Sequence, residues 1–487
     1  MGAASVLNIL SGVVKMKAAA VLLGPAGVGL VGLYQNLVQT ASTVSALGLG
    51  SVGTRQIAAA QATGDGAKVG EVRRALFWAT LALSALGALI FVAASGWIAE
   101  HLLAAPEHAG DVAWLAAGVA FTVAAGSQGA LLTGLRRIGD LARLQVLTGV
   151  LSAALGVAAI WWWGAQGLLA LVLAAPVVRF AAGHYYVARL GPPQGPTAAL
   201  SAMADEWRRM AALGLPFMLS GLVTVLGHLA VRSIVQRELG ADDLGYFQAA
   251  WAVGMLYLGF VLGAMGTDYY PRLTAAIGDR QAATRLVNEQ TEVALLLCGP
   301  AILGMLALAP WVIRLLYTAE FAPAAEVLRW QLLGDMLKVM SWPLGFVLLA
   351  AGAGRTFIAT ESSGIGVFVA GAALAVPAMG VAGTGAAFLA LYVWYLPLVY
   401  LLARRRIGFR WSARVKRQAL ALGLSAAAVA GAARVSEAGA AALGVALAGG
   451  FGLYGLAHLG QMAELSGPLG RLSGAARIVL KFFGRRE

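Results

Sequence analysis

Charge is scarce in this sequence. Only 12% of its 487 residues are Asp, Glu, Lys or Arg, about half the share in soluble domains. Cysteine is nearly absent: Cys298 stands alone, which excludes an intramolecular disulfide and a thiolate metal cage. Histidine is sparse too. His101 and His108 lie seven apart among Glu100, Glu107 and Asp111, a spacing that implies no metal geometry, while His184 and His228 are isolated. No glycine-rich loop ends in Lys-Ser or Lys-Thr, so direct use of ATP is not expected. No long polar stretch separates the apolar runs, which leaves no room for a soluble catalytic domain. A soluble enzyme, a disordered chain and a nucleic-acid binder are excluded on composition, and no cofactor is expected.

What the chain has is apolar surface. Its hydrophobic fraction is 60% and its mean hydropathy +0.79, enough for about fourteen helices of roughly 20 residues each. Breaks at charged and Gly/Pro positions predict spans near 4–23, 28–54, 75–96, 112–133, 141–163 and 166–188. A second set falls near 210–236, 244–267, 290–313, 327–352, 356–378 and 383–403, with two more near 417–433 and 438–461. The first run begins almost at Met1 and its lysines come late, so it reads as a spanning helix and not a cleaved signal. Trp161-Trp162-Trp163 reads as an interfacial aromatic belt.

The net charge of +13 is then a topology signal. Alternate loops and the tail carry 26 basic residues, whereas the opposite loops carry five, with nine acids. By the positive-inside rule the basic side is cytoplasmic, and both termini lie there. In the tail, Arg477, Lys481 and Arg485 stand four apart among Ile478, Leu480, Phe482 and Phe483. That pattern predicts a basic amphipathic helix on anionic lipid.

The two sets of six repeat each other. Leu23-Gly24 and Gly29 recur as Leu239-Gly240 and Gly245, and Gly164 and Gly167 recur as Gly380 and Gly383, always 216 residues on. Chance similarity among abundant glycines is the plain alternative. Six spans per half keep one orientation, and a transport path between the halves follows. The expected architecture is all-α and polytopic: two pseudo-symmetric six-helix bundles around a central cavity, plus two extra C-terminal helices. Its parts are an N-terminal bundle at 1–195, a C-terminal bundle at 205–405, two additional transmembrane helices in 406–462 and the basic cytoplasmic tail at 463–487.

Ionisable residues inside spans cost about 2.5–3.5 kcal/mol each at mid-membrane on insertion scales. Lys15 and Lys17 lie nine and seven residues before Gly24, near mid-membrane at 1.5 Å per residue. Two residues apart on a helix, they cannot face the same way. Arg232 takes the equivalent depth in the second half, Arg179 lies deep in the sixth span, and Arg55 ends the second. Asp335 and Lys338 share a helix face, where a simple ion pair is the plain alternative; Glu361 lies near the inner end of its span. Asp268 opens Asp268-Tyr269-Tyr270-Pro271-Arg272, where an end-cap role is the alternative. The cationic balance suits an anionic head group.

Gly24-Pro25-Ala26-Gly27 followed by Gly32-Leu33-Tyr34-Gln35-Asn36 resembles the first-to-second helix signature of O-antigen translocases. Trp311-Val312-Ile313-Arg314-Leu315-Leu316-Tyr317, Leu333-Gly334-Asp335, Ser341-Trp342-Pro343-Leu344 and Tyr269-Tyr270-Pro271-Arg272-Leu273 are similar to the same family. It belongs to the multidrug/oligosaccharidyl-lipid/polysaccharide exporter superfamily. The likeness covers about residues 1–405, and 406–487 departs from the twelve-span pattern. It implies a non-enzymatic flippase of the bacterial inner membrane, used in O-antigen lipopolysaccharide or related polysaccharide biosynthesis. Such a protein moves an undecaprenyl-pyrophosphate-linked oligosaccharide to the periplasmic leaflet by alternating access, among membrane lipid and alongside polysaccharide polymerase and chain-length regulator proteins. Under that resemblance Lys15, Lys17, Arg55, Arg232, Arg272 and Lys338 are the candidate pyrophosphate contacts, and Asp268 or Asp335 the candidate carrier of a coupling ion. A peptidoglycan-precursor flippase and a cation-coupled drug antiporter of the same superfamily are the alternatives.

Overall fold

The computed structural model describes residues 2–193, 195, 200–264 and 268–461; the predicted amphipathic tail at 463–487 lies outside the described residues. The described chain is helical, with no strand. In order come α1 (Gly2–Ser45), α2 (Leu49–Ala62), α3 (Gly66–Ala93), α4 (Ser95–His101), α5 (Ala109–Gly134), α6 (Ile138–Trp163), α7 (Leu168–Ala188) and α8 (Leu200–Glu238). Then follow α9 (Ala241–Ala264), α10 (Tyr270–Ala276), α11 (Arg280–Leu316), α12 (Ala324–Ala350), α13 (Gly354–Met379), α14 (Ala382–Ile407), α15 (Ala413–Ala433) and α16 (Glu437–Gln461). They form two compact units: Met1–Gly245 with Leu316–Glu320, and Tyr246–Leu315 with Phe321–Glu487.

Among the described residues, nine helical stretches are long and apolar enough to cross a membrane. Two of them, Leu7–Ser45 and Ile138–Ala188, run 39 and 51 residues, about twice the length of one span. Glycine divides each. Gly24 leaves helical geometry at φ 66° and ψ −168°, and Gly164 at φ 56° and ψ −131°, conformations that a Cβ would strain. The remaining predicted spans fall on α8, α9 and α15; the last three residues of the 244–267 run lie outside the described residues.

One span differs from expectation. The run 28–54 is not continuous, because α1 stops at Ser45 and α2 starts at Leu49. The junction holds Leu47 at φ 44° and Gly48 at φ 74°, and a methyl added at Gly48 would meet the Gly214 backbone, 2.8 Å from its Cα. The backbone of α8 therefore packs directly on this turn of the first unit.

The 216-residue repeat is visible in the turns themselves. Gly380 adopts φ 62° and ψ −149°, matching Gly164. A methyl at Gly167 would lie 2.6 Å from the Ala159 carbonyl carbon and 2.8 Å from Ile160 N; one at Gly383 would lie 2.5 Å from Ala375 C and 2.7 Å from Val376 N. Ala375 and Val376 are Ala159 and Ile160 moved on by the same 216 positions. Gly24 and Gly240 both have positive φ. Gly29 itself abuts Gly245, with 2.7 Å between an added methyl and Gly245 N. Because backbone and not a flexible side chain blocks the space, Gly383→Val is expected to cost about 1–3 kcal/mol by overpacking. A lowered thermal midpoint in detergent checks this, and an unchanged midpoint would remove the claim of a tight turn.

In the second unit the segment after Ile407 is built onto α11 and α12. Small residues let α16 approach α11, as is common between membrane helices: Gly444 meets Ala307, Gly455 meets Leu296, and Gly299 meets Phe451. Asn288 of α11 accepts from Ser412 N at 2.7 Å and donates to the Arg410 carbonyl at 3.1 Å. Arg329 of α12 holds Glu437, at the start of α16, through its two terminal guanidinium nitrogens. Near the other end of α16, His458 Nε2 lies 2.9 Å from Glu292 of α11.

Candidate functional site

The best-enclosed charged cluster among the described residues is in the second unit. On α12, Gln331, Asp335 and Lys338 follow at i, i+4 and i+7, one helix face. All three are buried, Asp335 completely and Lys338 to 7% exposure. α9 packs Gly254 opposite them: a methyl there would stand only 3.6 Å from Asp335 Oδ2 and from Gln331 Oε1. The next residue, Met255, brings its sulfur to 3.8 Å from Lys338 Nζ.

α14 supplies Phe388, Tyr392 and Tyr395, again at i, i+4 and i+7. Lys338 Nζ lies 5.5 Å from the Phe388 ring centre and 5.8 Å from that of Tyr392. A desolvated cation over such rings gains about 2 kcal/mol. Trp251 and Phe368 extend the aromatic wall, stacked at 6.1 Å and 17°. From α13, Glu361 accepts a hydrogen bond from the Tyr395 hydroxyl. Both Asp335 and Glu361 attract Lys338 electrostatically. One turn beyond Lys338, Pro343 interrupts the hydrogen-bond ladder of α12, and its carbonyl accepts from the buried Tyr269 hydroxyl at 3.0 Å.

The site is therefore an ammonium in an aromatic box, within the electrostatic reach of two carboxylates. Burial makes each charge expensive alone, so the three are interdependent. Among the described residues no group of three or more His, Cys, Asp or Glu is placed to hold a metal.

The other predicted residues are distributed. In the first unit Lys15, 8% exposed, donates to the Leu171 carbonyl of α7 at 3.0 Å, five residues before Pro176 inside the same helix. Lys17 donates to the Tyr317 carbonyl. The two lysines thus diverge, as their 200° separation requires. Arg232 is buried in α8 and reaches the His228 carbonyl at 3.3 Å. Arg55 is exposed on α2. In the second unit Arg272 pairs with Asp268 at 3.3 Å, both partly exposed; an open pair like this contributes about 0–1 kcal/mol. Of the eight residues singled out, only Asp335 and Lys338 belong to the aromatic box. Tyr392, Tyr395 and the role of Glu361 were missed. The i, i+4, i+7 spacing of Phe388, Tyr392 and Tyr395 was the available signal, but nothing local says which helix that face meets.

The match to known proteins agrees with this architecture. The family model described as polysaccharide biosynthesis protein matches residues 2–276. The Lipid III flippase of Escherichia coli K12 is 27% identical over 427 residues, covering 83% of this chain and 97% of that protein; that of Shigella flexneri gives the same figures. Among solved structures, an inward-facing MATE-family multidrug resistance transporter of the MOP superfamily superposes with a TM-score of 0.71 at 19% identity, covering 82% of this chain and 94% of that one. The Lipid II flippase MurJ in an inward closed conformation gives 0.66 at 11% identity, covering 94% of this chain and 97% of that one. Covering 94% of 487 residues reaches past the first 405, so the MurJ-like fold takes in part of the C-terminal extension. The fold is similar to that of these solved membrane proteins, and the chain belongs to the polysaccharide biosynthesis protein family.

Proposed function

We propose that this protein is a flippase for lipid-linked saccharide precursors, carrying an undecaprenyl-pyrophosphate oligosaccharide of the O-antigen or related surface-polysaccharide class from the cytoplasmic to the periplasmic leaflet. The observation that carries this reading is the buried Lys338 in its aromatic box, on which Asp335 and Glu361 act electrostatically. The similarity to the Lipid III flippases over nearly their whole length supports the same reading. Both termini are assigned to the cytoplasm on the loop charges, and polymerase and chain-length regulator proteins are the expected partners.

In this mechanism the pyrophosphate draws Lys338 away from its carboxylates as one of them takes up a proton. Asp335 or Glu361 thereby carries the coupling charge, and releasing the proton restores the internal pair and expels the anion. Lys15, Lys17, Arg55, Arg232 and Arg272 are retained as secondary contacts for the anionic head group, with Asp268 as the counter-ion of Arg272. The aromatic rings fit sugar faces as well as the ammonium.

Reconstituted protein is expected to move a fluorescent polyprenyl-pyrophosphate oligosaccharide across proteoliposome membranes, faster under an imposed proton gradient. A disaccharide-peptide lipid and a lipophilic cation serve as competing substrates. Transport of the cation without the glycolipid would end the flippase reading; preference for the disaccharide-peptide lipid would overturn the saccharide class.

A further inference from the structure

Seven of the fourteen residues from Arg404 to Arg417 are Lys or Arg, and none is acidic. They occupy the junction of α14 and α15 in the second unit, and all seven are exposed. At other helix ends arginines are partnered, Arg137 with Asp140 at 2.8 Å and Arg272 with Asp268 at 3.3 Å. Among the described residues none of these seven has an ion pair.

The backbone that carries them is held in place. Gly408 closes α14 in the left-handed region at φ 69°. Phe409 is fully buried, edge-on to Tyr400 and Trp411 with ring centres 5.9 and 4.8 Å away. Ser412 caps α15 by accepting from Val415 N at 3.1 Å, and Asn288 grips the Arg410 carbonyl and Ser412 N on either side of Trp411. The cations are therefore presented on a fixed turn and not on a loose loop.

Position says what they meet. α14 is long and apolar enough to cross a membrane; its 26 residues measure about 39 Å, against a hydrocarbon core of about 30 Å. The surplus lets its last turn, Arg404 to Arg406, stand at head-group level. Half-buried Trp411 follows at once, a residue type enriched at that level. Buried Ala403 and Ile407 turn Arg405 away from the protein, and buried Val415 and Gln418 do the same for Lys416 and Arg417. Insertion topology does not require this arrangement, because charge anywhere within about 15–20 residues of a span end sets orientation. Helix stability does not require it either: cations in the first turn of α15 oppose its dipole.

We propose that the α14–α15 junction is a binding surface for anionic phospholipid head groups, with Arg405, Lys416 and Arg417 taking the phosphates. Guanidinium forks suit phosphate oxygens, and cations that begin at the end of a span, beside an interfacial tryptophan, face a lipid surface before any soluble polyanion. The inference is independent of what the protein carries across the membrane. It gives the C-terminal extension, which starts at this turn, an anchor on the leaflet.

The test uses the full-length protein in phosphatidylcholine nanodiscs, doped in separate samples with phosphatidylglycerol or phosphatidylcholine that carries a diazirine at the glycerol end of one acyl chain. Labelled peptides are then mapped. Phosphatidylglycerol is expected to label the 404–417 region about tenfold over phosphatidylcholine, with the excess shrinking as salt rises. Arg405→Gln with Lys416→Gln and Arg417→Gln is expected to bring the ratio near one. Arg405→Lys with Arg417→Lys keeps the charge and should keep most of the excess. Equal labelling by the two lipids, an excess confined to other segments, or an excess untouched by the glutamines would overturn the proposal. Protection of the junction by soluble polyglutamate, with no excess from phosphatidylglycerol, would also overturn it and assign the surface to an acidic protein.

Discussion

Lys338→Met is expected to reduce glycolipid flipping about a hundred- to a thousandfold. A close charge pair at an effective dielectric near 20 is worth about 4 kcal/mol, and each 1.4 kcal/mol is a factor of about ten. Desolvation of the phosphate takes back part of that, which sets the lower bound. Methionine nearly preserves the volume and keeps the contact with Met255, which lies 3.8 Å from the amine, so packing changes little. The substitution also leaves the buried Asp335 and the half-buried Glu361 without that cation. Lys338→Met combined with Glu361→Gln removes one of those stranded charges and separates the two effects. Should the double variant recover stability but not transport, the amine is a substrate contact. Recovery of both would make Lys338 a structural counter-ion and end its assignment to the pyrophosphate.

Glu361→Gln alone gives the complementary expectation. The amide keeps an acceptor for the Tyr395 hydroxyl, which donates to Glu361, but cannot carry a proton. If Glu361 is the coupling carboxylate, flipping in this variant should lose its response to an imposed proton gradient while retaining downhill movement. Asp335→Asn tests the other carboxylate in the same way. A full gradient response in both variants would take coupling away from this cluster.

Much of the architecture was readable because its signals are local. Gly24-Pro25 and the paired glycines at 164/167 and 380/383 announced the tight turns, and the backbone shows why: positive φ at Gly164 and Gly380, and main-chain contact at Gly167 and Gly383. The divergence of Lys15 and Lys17 followed from helix geometry alone. The break at Leu47–Gly48 was hidden because its cause is tertiary, the Gly214 backbone arriving from α8. Site residues divide along the same line. Asp335 and Lys338 stand out as charges on an apolar helix, whereas Tyr395 and Glu361 meet across 34 positions. Glu292 and His458 were passed over for that reason, being 166 positions apart, and neither carries a motif of its own.

His458→Ala is expected to loosen the C-terminal helix pair by about 1–3 kcal/mol, the cost of leaving a buried acceptor without its hydrogen-bond partner. Glu292 is 5% exposed. His458 Nε2 is 2.9 Å from its Oε1, and the Gln418 amide reaches the same oxygen at 3.5 Å. Removing the imidazole leaves only that long amide contact on the carboxylate. Replacing both residues, as in Glu292→Leu with His458→Leu, should restore much of the loss, because a buried pair exchanged for apolar groups is often neutral or stabilising. An ordinary interhelical hydrogen bond in a membrane averages about 0.6 kcal/mol, so the size of the single-variant effect tells the two descriptions apart. Thermal midpoints in detergent and protease protection of the 408–412 link, which Asn288 holds through Ser412 and Arg410, give the readouts. A double variant as unstable as His458→Ala would show that shape and not charge pairing secures α16. Flipping activity that follows stability across both variants would make the extension part of the transport machine; activity that survives its loosening would make it an addition to a working twelve-helix core.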